Sequence, residues 1–272
     1  MGHTVNVGRL KSSMRTPDRL SSTAWLCEGC GYPLLGIDLT QACPECGRPT
    51  RDSLPQRRTG LAWQQSISLW SWFRTAVQVL RHPRASFGAM RVGGPNLSAR
   101  LYLLSMACSG GGLVVPFYLW AYPGDWLFAW MLGMIMGKLI FLMTYVKAVG
   151  VTFFSRRRGW RVGFTTAERV TAYASVGWPV AVIVFAMLLR IVDPLRPGGW
   201  LDHLLGPGFE PALPLGPLLA VGAAILGFEF LVWTGVRQVR FANPPDVLEA
   251  RPERSQRDIA DKLPPRFTPP MP

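Results

Sequence analysis

The fold class predicted by the sequence is an all-α integral membrane bundle of about four transmembrane helices, preceded by a small N-terminal β ribbon. Three observations predict it. The 272 residues are 49% hydrophobic and 17% charged, with 11 tryptophans, a balance too apolar for an ordinary soluble domain. Long stretches run without charge, residues 101–120 among them, and about 20 apolar residues suffice to cross a bilayer. Near the start, four cysteines form two Cys-x-x-Cys pairs, Cys27 with Cys30 and Cys43 with Cys46, around a spacer at 31–42.

Taken in order, residues 1–23 are polar and are expected to be disordered. The ribbon follows at 24–52. Its halves repeat one another: Cys27-Glu-Gly-Cys30-Gly31-Tyr32-Pro33 and Cys43-Pro-Glu-Cys46-Gly47-Arg48-Pro49 both read C-x-x-C-G-x-P. A Cys-x-x-Cys turn lets two thiolates reach one ion, and a glycine after the second cysteine takes the tight left-handed conformation that aims backbone N–H groups at sulfur. Cys27, Cys30, Cys43 and Cys46 are therefore the metal ligands of a closed four-thiolate cage holding one structural Zn²⁺. A disulfide pair, a redox dithiol and iron are the rival uses of such cysteines. Zinc with four thiolates carries a formal charge of about −2, which Arg48 and Arg51 are placed to offset. A head of about 30 residues needs such a staple to fold, with Leu34, Leu35, Ile37 and Leu39 available to pack over the metal.

This segment resembles the zinc-ribbon heads of the form CxxCGYxLxGL…CPECG found at the N-terminus of many bacterial membrane proteins. The likeness covers Cys27 to Pro49, with Ile37 where leucine is usual. It implies a fold and a metal rather than an activity.

Residues 60–92 read as an interfacial amphipathic helix. Trp63, Ile67, Trp70, Phe73, Val77 and Leu80 recur at helical spacing, with polar residues between them; tryptophan favours the headgroup region. His82-Pro83 ends the pattern, because proline disfavours helical geometry in the residue before it.

The bundle is placed at 97–240, with spans at about 101–121, 126–154, 170–190 and 213–236. Arg156, Arg157, Arg158, Arg161 and Arg169 after the second span, and Arg74, Arg81, Arg84, Arg91 and Arg100 before the first, mark the cytoplasmic side. Both termini are thus expected in the cytoplasm, and the protein in the cell inner membrane as a multi-pass chain. The net charge of +13 is then a topology signal and a contact for anionic lipid, not a mark of nucleic-acid binding. Residues 241–272, rich in proline and mixed charge, form an expected disordered tail.

Within the spans, Lys138 and Glu229 are expected at similar depth, where a buried ion pair would offset a cost of about 3 kcal/mol per charge. Gly110 to Gly112, and Gly133 with Gly137, let helices approach closely, and fit a compact bundle and a homo-oligomer equally well. Cys108 reads as an inert small apolar residue. The segments RHPRASF and GFTTAERVTAYAS, with glycine-rich spans, resemble the Yip1-type membrane family, which implies a bundle with a cytoplasmic N-terminus that organises membranes and recruits partners.

No catalytic motif is present: there is no HExxH, GxSxG, P-loop or GxGxxG. The catalytic and cofactor-binding sets are accordingly empty, apart from the metal. The expected function is non-enzymatic, a membrane-anchored protein-binding or scaffolding module whose ribbon meets a cytosolic protein partner and whose other partner is the lipid bilayer. The alternative is a small transporter or channel using Lys138 and Glu229.

Overall fold

A computed structural model describes residues 25–121, 124–192 and 215–245. The expected disordered ends at 1–23 and 246–272, and the first two residues of the fourth span, lie outside these residues.

The head, 25–54, has no strand among the described residues. Each half instead closes with one isolated antiparallel bridge, Leu26 with Pro33 and Ala42 with Pro49. The expected β ribbon is reduced to these for a local reason. Cys27 N–H donates to the Tyr32 carbonyl and Leu34 N–H to the Trp25 carbonyl, both at 2.8 Å. Pro33 stands between Tyr32 and Leu34 and has no N–H to extend the ladder, and Pro49 does the same in the second half. Two short 3-10 turns, Thr50–Ser53 and Pro55–Arg57, lead away.

The amphipathic stretch is three helices rather than one: α1 (Ala62–Gln65), α2 (Leu69–Arg81) and α3 (Pro83–Ala89). Ser68 makes the break. Its hydroxyl accepts from Ser71 N–H while the Ser71 hydroxyl accepts from Ser68 N–H, a reciprocal cap that starts α2 anew. His82 caps α2 and Pro83 opens α3 as its first residue. The break separates the expected stripe. Trp63, on α1, is buried, with its indole N–H donating to the Ser98 carbonyl at 2.7 Å. Ile67, Trp70, Phe73 and Leu80 are exposed, and the face of α2 turned inward carries Ser71, Thr75, Ala76 and Val79.

Four long segments form the bundle: α4 (Leu97–Ala121), α5 (Trp126–Arg157), the pair α6 (Phe164–Ala174) and α7 (Gly177–Val192), and α8 (Leu215–Val239). Among the described residues, three stretches are long and apolar enough to cross a membrane, Leu97–Trp120, Trp126–Arg157 and Phe164–Met187, the last running through α6 and α7. The glycines act within the chain. A Cβ on Gly111 would lie 2.3 Å from the Gly133 carbonyl and 2.9 Å from the Gly137 nitrogen, so α4 and α5 touch backbone to backbone.

The main core gathers at one end of the bundle, where Val79, Phe87, Met90, Tyr102, Met106, Val170, Tyr173, Val236 and Val239 bring α2, α3, α4, α6 and α8 together. Elsewhere the helices are thinly packed and expose apolar side chains, among them Leu127, Trp130, Met134 and Leu142 of α5.

Candidate metal centre and its seat on the bundle

The sulfurs of Cys27, Cys30, Cys43 and Cys46 lie within 4.8 Å of one another. Those of Cys27 and Cys46 are 3.5 Å apart, and those of Cys30 and Cys43 3.6 Å. Tetrahedral zinc with Zn–S bonds of about 2.3 Å needs sulfurs about 3.8 Å apart, so the donor set fits a single ion in both number and spacing. Gly31 and Gly47 hold φ values of 84° and 69°, as the repeat requires, and their N–H groups donate to the Cys27 and Cys43 carbonyls at 2.8 and 2.9 Å. All four cysteines are free thiols. Trp25, Leu34 and Leu54 are buried around the sulfurs, with Ile37 and Leu39 packed alongside, while Leu35 projects outward with 76% of its surface exposed.

The thiols are not equivalent. Burial pushes Cys27 up, and it pushes Cys30 up to about 12. Burial also acts on Cys43, but N–H donors from Cys46 and Glu45 and the neighbouring thiols outweigh it and bring this thiol down to about 7. Cys43 thus gives up its proton more readily than Cys27 or Cys30. Of the two helper arginines, Arg48 lies beside the ligand loop, its Nε and the Cys46 sulfur both 3.4 Å from the point where a Gly29 Cβ would stand.

The residues that seat the head went unread in the sequence. Arg58 is buried and donates from Nε and Nη2 to the Glu28 carboxylate at 3.0 and 2.8 Å. The same guanidinium donates to the carbonyls of Phe87, Gly88 and Met90 at the end of α3, and to Gln238 in α8. From beyond α8, Asn243 accepts from Leu26 N–H at 3.0 Å and donates to the Leu26 and Ser53 carbonyls at 2.7 and 2.9 Å. The Phe241 ring covers Gly31, where a Cβ would come within 2.7 Å. Residues 241–245 therefore belong to the folded body, contrary to a tail starting at 241. A pairing of residues 217 positions apart leaves no local signature.

A second buried network lies in α6. Arg169, expected in the basic link after the second span, and Glu168 beside it are 2% and 4% exposed. Asn96 and Arg100 donate to Glu168 at 2.6 and 2.8 Å. Arg169 donates to Asn96 and to the carbonyls of Arg91, Gly93 and Gly94. Their number of partners explains how two charges are accommodated inside.

Lys138 and Glu229 are not brought together. Glu229 pairs with Lys147 at 2.5 Å, each partly exposed, while Lys138 stands on the outer surface of α5 beside Trp130, Met134 and Ile135. Nine residues separate the two lysines, about half a turn of azimuth at 100° per residue. Similar depth therefore does not bring Lys138 to Glu229, because the two lysines project from opposite sides of α5.

Fold and site together define a class: a mostly helical protein with membrane-type helices and a four-cysteine cluster that could bind a metal ion. No family model matches the chain, and neither a curated protein nor a solved structure matches it. The likenesses to zinc-ribbon heads and to the Yip1-type family therefore rest on the quoted residues alone.

Proposed function

We propose that this is a non-enzymatic, multi-pass protein of the cell inner membrane whose zinc-stapled cytoplasmic head is a binding or scaffolding surface for a cytosolic protein. The observation that carries this reading is the seat of the head. Arg58 and Asn243 fix it to the bundle through buried hydrogen bonds, leaving the spacer with Tyr32 and Leu35 turned outward. A closed four-thiolate site leaves no coordination position for catalysis, so the metal serves shape.

Support for the topology comes from one crowded end. The head, the end of α5, residues 158–163 and the end of α8 meet there, with Arg161 N–H donating to the Arg240 carbonyl at 2.8 Å. Arg156, Arg157, Arg158 and Arg237 gather at the same end, which the positive-inside rule makes cytoplasmic. Four crossings, with α8 the fourth, return the chain to it. The exposed Ile67, Trp70, Phe73 and Leu80 of α2 suit the leaflet surface beside it.

The test is quantitative co-purification from membranes, comparing wild type with Leu35→Asp and with Cys43→Ser/Cys46→Ser. A scaffold loses the same protein in both variants, while Leu35→Asp keeps its metal. An identical set of co-purifying proteins in all three would end this reading. Elemental analysis of the purified protein identifies the ion, and zinc at one per chain is expected.

A further inference from the structure

A polar cleft of about 510 Å³ opens at the seam between the head and the ends of α3 and α8. Five arginines line it, Arg48 and Arg57 from the head side, Arg58 from the linker, and Arg237 and Arg240 from α8 and its exit; only Glu28 and Asp52 oppose them. Arg58 is consumed by Glu28, and Arg57 pairs with Asp52. Arg48, Arg237 and Arg240 have no carboxylate partner among the described residues. Arg240 gives one N–H to the Gly29 carbonyl at 2.6 Å, yet its buried Nε has no hydrogen-bond partner among the described residues.

Arginines at a helix C-terminus are ordinarily explained by the helix dipole, and that suffices for Arg237. It does not account for Arg48, which arrives from the head, nor for a buried N–H of Arg240 left without an acceptor. The metal centre contributes about −2 when loaded, and the excess of cations over the two carboxylates still leaves the cleft positive.

The depth of the cleft is marked independently. Trp233 lies one turn before Arg237, which sits 5.2 Å over its ring, and Trp160 packs against Trp233 with centroids 5.8 Å apart. Paired tryptophans beside arginines are the furniture of the headgroup layer. Planar guanidinium groups match the oxygens of a phosphate in pairs.

We infer that this seam is a binding site for a phosphate group, held by Arg48, Arg237 and Arg240. The phosphate reaches it either as the headgroup of an anionic phospholipid of the inner leaflet or as a soluble phosphorylated anion. Occupied, it bridges the head and α8 through charge.

The test uses full-length, zinc-loaded protein in neutral detergent. Native mass spectrometry compares retention of phosphatidylglycerol with phosphatidylcholine. Thermal unfolding compares pyrophosphate with sodium chloride at matched ionic strength. The site predicts one preferentially retained phosphatidylglycerol, or a rise in melting temperature with pyrophosphate that chloride does not give. The first result alone identifies a headgroup and the second a soluble phosphate. Arg48→Gln/Arg237→Gln, which spares Arg58, Arg240 and Asn243, should weaken the effective probe about tenfold or more. Arg74→Gln/Arg81→Gln on α2, outside the cleft, removes the same charge from the leaflet surface and should weaken the effective probe far less. Wild-type protein that prefers neither phosphate probe over its control overturns the proposal without recourse to any variant, and so does equal weakening by both double substitutions.

Discussion

At the scale of single residues, the four thiols and the two seam residues behave differently on perturbation. With Cys43 near 7 and Cys30 near 12 in the metal-free head, zinc must displace the proton of Cys30 at any physiological pH but meets Cys43 increasingly ionised above pH 7. Titration calorimetry in buffers of differing ionisation enthalpy should therefore find proton release per zinc falling by about one between pH 6 and pH 8, as Cys43 ionises. The sign follows from linkage. The depressed Cys43 stabilises the metal-free head above pH 9, and that contribution is lost as pH falls through 7. The raised Cys30 stabilises it below pH 9 and loses its contribution as pH climbs towards 12. Arg58→Ala leaves Glu28 buried without its counter-charge, which costs about 3–5 kcal/mol. Hydrogen exchange should then rise throughout 25–54 with zinc still bound. Arg58→Lys should rescue only in part, because one ammonium cannot reach Glu28, the α3 carbonyls and Gln238 together.

At the scale of elements, the closest joint is α4 on α5. Gly111→Leu forces the two backbones apart, with an expected loss of about 1–3 kcal/mol, seen as a lower melting temperature in detergent; Gly112→Ala, where a Cβ meets nothing within 4 Å, should leave it unchanged. The elements were legible in the sequence where one local signal governs them. Long apolar runs marked α4, α5 and α7, and His82-Pro83 marked the end of α2. Misreadings arose where a second, competing group decided. Ser68 capped a new helix inside a continuous apolar period, the prolines at 33 and 49 stopped strands that the repeat suggested, and α6 took in Glu168 and Arg169 because Asn96 and Arg100 from another segment satisfy them. In the site, all four cysteines and both glycines could be read from spacing. Arg58, Glu28 and Asn243 could not, since each looks like an ordinary surface residue until its distant partner is known.

At the scale of the whole molecule, the head and the exit of α8 share one side. On the proposed topology, a cysteine replacing Asp125, in the turn between α4 and α5, should react with an impermeant maleimide added outside sealed cells. One replacing Arg158 should react only after lysis. The reverse pattern would invert the topology. Removing the bound metal by chelation should free the head without unfolding the bundle, because the main core of α2, α3, α4, α6 and α8 contains no residue of 25–54. Circular dichroism should keep its helical signal while protease cuts near residues 55–60.

The hydrogen bonds joining Leu26 to Asn243 also set a schedule. Synthesis at about 5–20 residues per second puts roughly 10 to 45 seconds between the emergence of these two residues. The head can load its ion and close early, and Glu28 can meet Arg58 soon after, but the Leu26 backbone groups and the loop around Gly31 must wait in water until α8 and residues 241–243 have been made. Correct seating of the head thus reports that α8 and Asn243 have arrived, and a chain arrested before residue 243 would display an unlatched head to whatever surveys the membrane for unfinished proteins.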